Sequence, residues 1–341
     1  MRLTKLALLA VPVLLLSLVP ATASAAGPSQ QAQARADVLA YWTPERMKSA
    51  RWLDVTYDKA AKEGRLVSRS QFQPVGTNNG SWNGTASNGD DEIARVTGRV
   101  YFAFGQSAYI CSGSVIRDGS RAGYSTVLTA AHCVYDQKKG KFATKWLFIP
   151  DFDAAPTYTC ADTYLGCWNA VSIVTRSEFT TARRLTNSAL QHDWAFVVVG
   201  GGGKTGTASQ LDEAVNLTTG ATGLQLAAAA QPLNTVMTAI GYPAAAPYNG
   251  NNLTYCQNPV TRDANTSNTT YKMSCLMTGG SSGGPWVLNG GSGFNASATS
   301  LNSYGYTGDT NMYGPIFGSN TQATFAAAQT HSSGNFAINT N

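Results

Sequence analysis

Gly279-Gly280-Ser281-Ser282-Gly283-Gly284-Pro285 follows an apolar stretch and runs straight into Trp286-Val287-Leu288. Two folds set a nucleophilic serine between glycines in this way, and what comes after the glycines separates them. The G-x-S-x-G turn of an α/β-hydrolase needs a helix directly behind the serine. Pro285 followed by an indole and two aliphatic side chains starts a strand instead. Asp309 and His331 do follow in the Ser…Asp…His order of that fold, but too little chain remains for its α/β body. The reading is therefore all-β, with Ser282 on a loop of bare backbone. Glycines there let the chain approach a scissile carbonyl and let the amides of Gly280 and Ser282 converge on one oxygen as an oxyanion hole. A flexible Gly/Ser loop of the same composition is the plain alternative.

Outward from this loop the texture stays the same. Short β-branched and aromatic runs at 99–104, 126–131, 146–149, 194–199, 236–240, 286–288 and 312–317 are punctuated by Gly, Asn and Pro. Such spacing predicts a sandwich or barrel rather than strands alternating with helices. Residues 321–330 are Ala-rich and predict one closing helix. Before residue 93 the chain differs. Thr43-Pro44-Glu45-Arg46 reads as a helix start, with Thr43 capping and Pro44 in the first turn. Residues 26–36, rich in Gln, Ala and Ser, read as flexible, and 76–91 as a Gly/Asn/Ser linker.

Of the 341 residues, 13% are charged, against about 25% in a typical domain. That excludes a charged disordered polymer, a coiled coil and a long helical bundle. The formal charge of +5, with Arg2 and Lys5 in the leader, makes no nucleic-acid footprint. Residues 1–25 form a short basic start, an apolar stretch and a small-residue end at Ala23-Ser24-Ala25, the pattern of a signal peptide. The apolar run is short and broken by Pro12 and Pro20, so a membrane anchor is not expected. The expectation is an exported protein without membrane or nucleic-acid partners. Six cysteines in such a chain, Cys111, Cys133, Cys160, Cys167, Cys256 and Cys275, favour three disulfides over metal ligation, although order alone leaves 15 pairings open.

Two further signals accompany the serine. A serine hydroxyl needs an imidazole to take its proton, and the chain has only three histidines: His132, His192 and His331. His132, in Thr129-Ala130-Ala131-His132-Cys133, ends a β-branched run beside a cysteine that could tether it. Asp193, in His192-Asp193-Trp194-Ala195-Phe196, stands at the mouth of an apolar strand, where an acid is costly unless paired. A partner at an imidazole Nδ1 would compensate it and fix the tautomer. An ordinary turn aspartate would look the same in sequence. His192 beside it would face the opposite side of the strand.

In the order His132, Asp193, Ser282, these motifs make the chain resemble the chymotrypsin/trypsin-like serine peptidases. The resemblance covers about residues 93–341. It includes Cys111-Ser112-Gly113-Ser114 ahead of His132-Cys133, and Ser303-Tyr304-Gly305 where that family has its substrate-binding strand. Closer similarity is to the secreted bacterial, glutamyl endopeptidase-like branch, through Thr278–Gly283 and Gly241-Tyr242-Pro243. The resemblance implies two six-stranded antiparallel β-barrels packed together, with a cofactor-free catalytic cleft between them. It also implies endopeptidase activity on polypeptides and a monomer. The implied division is a leader at 1–25, a propeptide and linker at 26–92, and a peptidase unit at 93–341, with barrels at about 93–210 and 211–341. Cys111–Cys133 follows from the family pattern, Cys160–Cys167 from proximity, and Cys256–Cys275 by remainder.

Two departures stand out. Ser281 occupies the place where animal-type members carry an Asp that pairs with the new N-terminus, so activation by that salt bridge is not expected. Leu276, Met277 and Thr278, which should line the primary pocket, offer neither a trypsin-like acid nor the polar set that would bind a Glu side chain. Asp309 could reach the pocket from the opposite wall or belong to a plain turn. The P1 preference stays open. A non-catalytic secreted binder on the same scaffold is the rival from another class.

Overall fold

Pro28–Tyr41 forms a 14-residue helix, α1, where composition suggested a flexible tail. Its Ala, Gln and Arg residues are good helix formers, and the anchoring comes from tertiary contacts that no local pattern announces. Arg35 donates to the carbonyls of Cys167 and Gly203 at 2.9 and 3.1 Å, and Val38 enters the main core. Pro44–Ser49, α2, starts as read, with the Thr43 hydroxyl accepting from the Arg46 amide. Then come three strands that the sequence reading did not foresee: β1 (Arg51–Trp52), β2 (Asp54–Asp58) and β3 (Glu63–Val67). The computed structural model describes residues 28–67, 80–81, 92–119, 122–152, 158–206, 210–211, 223–288 and 296–339. The leader and most of the 76–91 linker lie outside the described residues.

The first barrel is built from β4 (Thr97–Phe104), β5 (Ser107–Ile116), β6 (Ser125–Thr129), β7 (Thr144–Pro150), β8 (Trp168–Arg176) and β9 (Ala195–Val199). Their antiparallel order is β5-β4-β7-β8-β9-β6, and β6 closes back on β5 through Val115 opposite Val127. Closure leaves no free edge between these strands. Val100, Phe102, Leu147, Val174, Phe196 and Val198 in these strands are all fully buried.

The second half contains β10 (Val236–Gly241), β11 (Thr254–Pro259), β12 (Thr270–Ser274), β13 (Pro285–Leu288) and β14 (Ser297–Leu301). Two more strands follow, β15 (Gly305–Tyr306) and β16 (Asn311–Pro315). Among the described residues its ladder is not closed. β14-β13-β10-β11 form one antiparallel set, and β12 pairs with β16 in another. Met237, Ala239, Tyr271, Met273 and Trp286 fill the space between them. The closing helix, α3, is Ser319–Thr330, two residues longer at its start than read. Beyond it, β17 (Gly334–Ile338) adds to β8 in parallel.

Candidate active site

His132 sits in a single 3₁₀ turn, Ala131–Cys133, where the chain leaves β6. Asp193 lies two residues before the strand that pairs with β6, so the register Ala195↔Thr129 brings the two together. One carboxylate oxygen accepts the His132 backbone amide at 2.9 Å, and the other lies 2.7 Å from His132 Nδ1. A carboxylate can only accept, so this pairing puts the ring proton on Nδ1 and frees the Nε2 lone pair. The Ser303 hydroxyl donates to the same Asp193 oxygen at 2.5 Å. Three donors thus compensate an acid that has no exposed surface. The hydroxyl of Ser303, a residue expected on the substrate-binding strand, is thus engaged with Asp193.

Ser282 lies on the loop between Thr278 and β13. Gly283 has φ +85°, and a Cβ there would come within 2.3 Å of Thr129 Oγ1 and 2.4 Å of the Ser112 carbonyl, so only glycine fits. Two residues that sequence reading missed hold this loop. The Ser112 amide donates to the Ser282 carbonyl at 2.8 Å and its hydroxyl to the Gly280 carbonyl at 2.9 Å. The Asn302 side chain donates to the carbonyls of Ile240 and Ser281 and accepts from the Trp286 indole. The Gly280 amide donates to the Leu53 carbonyl at 3.4 Å. His132 Nε2 is buried and has no hydrogen-bond partner among the described residues. Catalytic hydrogen bonds are often long or open without substrate.

A cavity of about 620 Å³ opens beside the loop, lined by Met277, Thr278, Gly279, Gly305, Asp309 and Met312 from the second half. Asp54, Lys59 and Arg65 close it from the N-terminal segment. Leu276 does not line it. Tyr304 turns inward, its hydroxyl donating to Asp263 at 2.7 Å. Asp309 does reach the wall. Burial pushes its carboxyl up, but donors from Tyr313 and Asn311, the Thr310 amide and the charge of Lys272 outweigh that and leave it below the usual range.

The disulfides are Cys111–Cys133, Cys160–Cys167 and Cys256–Cys275. Cys111, His132 and Cys133 cluster closely enough for metal ligation, but sulfurs joined to each other are not thiolate ligands. The other histidines point elsewhere. His192 Nδ1 lies 2.8 Å from the Ser188 carbonyl, and the His331 ring packs, tilted, against Phe336 past α3.

The family model for the trypsin-like peptidase domain matches residues 111–292. Among solved structures, the chain is similar to the thermostable serine protease AL20 from an extremophilic microorganism. That likeness has 34% identity and a TM-score of 0.57, over 70% of this chain and 100% of that one. Protease Anisep from Arthrobacter nicotinovorans is similar at 29% identity and a TM-score of 0.56, over 74% of this chain and 100% of its own. A Glu endopeptidase is similar at 17% identity and a TM-score of 0.53, over 77% of this chain and all of that one, a likeness of fold alone. No curated protein sequence matches.

Proposed function

The chain belongs to the trypsin-like peptidases, and on that premise we propose that it is a secreted serine endopeptidase working through Ser282, His132 and Asp193. The observation that carries this reading is the buried His132–Asp193 pair, 2.7 Å apart, with the sulfur of the adjoining Cys133 3.8 Å from the carbonyl of Ser282 in its glycine-rich loop. His132, its ring proton held toward Asp193, takes the Ser282 hydroxyl proton at Nε2 as Oγ attacks the carbonyl carbon of a peptide. The amides of Gly280 and Ser282 receive the oxyanion. His132 then passes the proton to the departing amine, leaving an acyl-enzyme, and water repeats the sequence to release the acid. No step calls for a cofactor.

Residues 26–92 are the propeptide of this precursor, and Met277, Thr278 and Gly305 line the wall that receives substrate. A fluorophosphonate should label Ser282, and Ser282→Ala should lower kcat by about 10⁴-fold or more. A Ser282→Ala protein with wild-type peptide hydrolysis would overturn the reading, and a folded, uncovered cleft that never labels would favour the non-catalytic binder.

A further inference from the structure

Ser282 is 2% exposed and His132 not at all. A peptidase in that state reaches no substrate, and what lies over the site is the chain's own N-terminal part. We infer that residues 51–58 are a built-in inhibitor of the cleft, docked as an added strand on both of its walls and seated so that none of its own peptide bonds is poised for hydrolysis. The inference rests on the peptidase reading and specifies how that site is held silent.

On one wall β1 runs parallel to β5, with Arg51 opposite Tyr109 and Trp52 opposite Ile110. The Leu53 amide continues the ladder to the Ile110 carbonyl at 3.2 Å. On the other wall β2 runs parallel to β15, Thr56 opposite Gly305 and Tyr57 opposite Tyr306. Main-chain pairing of this kind is how extended peptides dock on sheet edges. Between the walls, the Leu53 carbonyl takes the Gly280 amide and Trp52 lies directly on Gly279, where an added Cβ would be 2.3 Å from the indole. Asp54 comes next in the chain, its carboxylate accepting the Val55 amide at 2.8 Å and within electrostatic reach of His132. Val55 and Tyr57 alternate inward and pack with Ala131, Tyr304, Tyr306 and Tyr313. Lys59 sets its ammonium 4.6 Å over the Tyr306 ring. β3 folds back on β2 and ties the hairpin to the first half, Gly64 pairing with Leu185 and Glu63 with Thr186.

This occupant is bound without being a substrate. A reacting carbonyl oxygen needs donors at about 2.7–3.1 Å. The Leu53 oxygen has one donor at 3.4 Å, while Nε2 of the base is without a hydrogen-bond partner. Cutting the 76–91 linker therefore does not by itself open the site; the N-terminal fragment has to leave.

The test uses the full chain with a recognition site for a sequence-specific protease inserted within residues 76–91. The readout is the rate of fluorophosphonate labelling at Ser282. The uncut chain and the cut but associated complex should label at least about tenfold more slowly than protein freed of the fragment, the equivalent of ~1.4 kcal/mol of docking. Adding the purified fragment back should restore the slow rate, and Val55→Asp with Tyr57→Asp in the fragment should prevent that. Equal labelling in all states, or a fragment that rejoins on gel filtration without slowing labelling, overturns the inference while leaving the peptidase reading intact. If fragment removal leaves the remainder aggregated, the uncut Val55→Asp/Tyr57→Asp chain decides. Faster labelling than the uncut wild type supports the inference, and an equal rate overturns it. No labelling in any state overturns the peptidase reading and this inference with it.

Discussion

Ser303 shows how a residue can be found for one reason and matter for another. Its place before Tyr304-Gly305 marks it as part of a substrate wall, and its hydroxyl also feeds the Asp193 oxygen that faces His132. Ser303→Ala removes a hydrogen bond to a charged group, worth about 1.5–3 kcal/mol, and should lower kcat by roughly ten- to a hundredfold with KM little changed. Steady-state kinetics separates this from a substrate-binding role, which would move KM. Asp54 sets the pH behaviour of the docked segment. Burial holds its carboxyl up at about 6 rather than 3.8, against the opposing pull of the Val55 amide and His132. A group that binds its proton more tightly when docked favours docking in acid and loses that advantage as pH rises through 6. Re-added fragment should therefore bind about tenfold to a hundredfold more weakly at pH 7 than at pH 4, and Asp54→Asn fragment should flatten the profile. Other groups at the cavity are Asp58, Lys59, Arg65 and Asp309, and Asp58→Asn serves as the control. His132, Asp193 and Ser282 were legible because histidines and acids are scarce in this chain. Ser112 and Asn302 were not, because one hydrogen-bonding Ser or Asn among dozens carries no pattern until the loop it holds is folded.

At the level of elements, the strands of both halves follow from their β-branched and aromatic runs, and the nucleophile loop from its glycines. Gly283 is the most constrained of these. Gly283→Ala drives a methyl into Thr129 and the Ser112 carbonyl at a positive φ, and should cost about 2–4 kcal/mol along with most of the activity, read by urea unfolding and peptide hydrolysis. The Cys111–Cys133 bridge joins β5 to the turn that carries His132 across 22 residues. Replacing both by Ala should destabilise the protein by about 3 kcal/mol. The N-terminal hairpin is the element that no sustained sequence signal announced. Asp54-Val55-Thr56-Tyr57-Asp58 does alternate polar and apolar, the signal of a half-buried strand, but only over five residues, soon after a short helix. Its partner strand, β15, is only two residues long, too short to announce a docking edge.

For the whole molecule, the resemblance implies two β units preceded by a further N-terminal segment, and the described part of that segment is woven into them. Val38, Trp42, Met47 and Leu53 belong to the same core cluster as the first barrel. Each buried side chain of that size contributes about 1.5–3 kcal/mol, so the protein freed of its N-terminal fragment should melt at least ~5 °C below the uncut chain, measured by calorimetry. Activation would then exchange stability for access.

The order of the chain adds a constraint in time. The strand that fills the cleft is synthesised well before one wall of that cleft, Gly305–Tyr306. The occupant waits, unpaired on that side, through the making of both halves. By the time the last wall can form, its guest is already tethered beside it at high local concentration. There is thus no stage of synthesis at which the last wall of this cleft can form before the strand that fills it has been made.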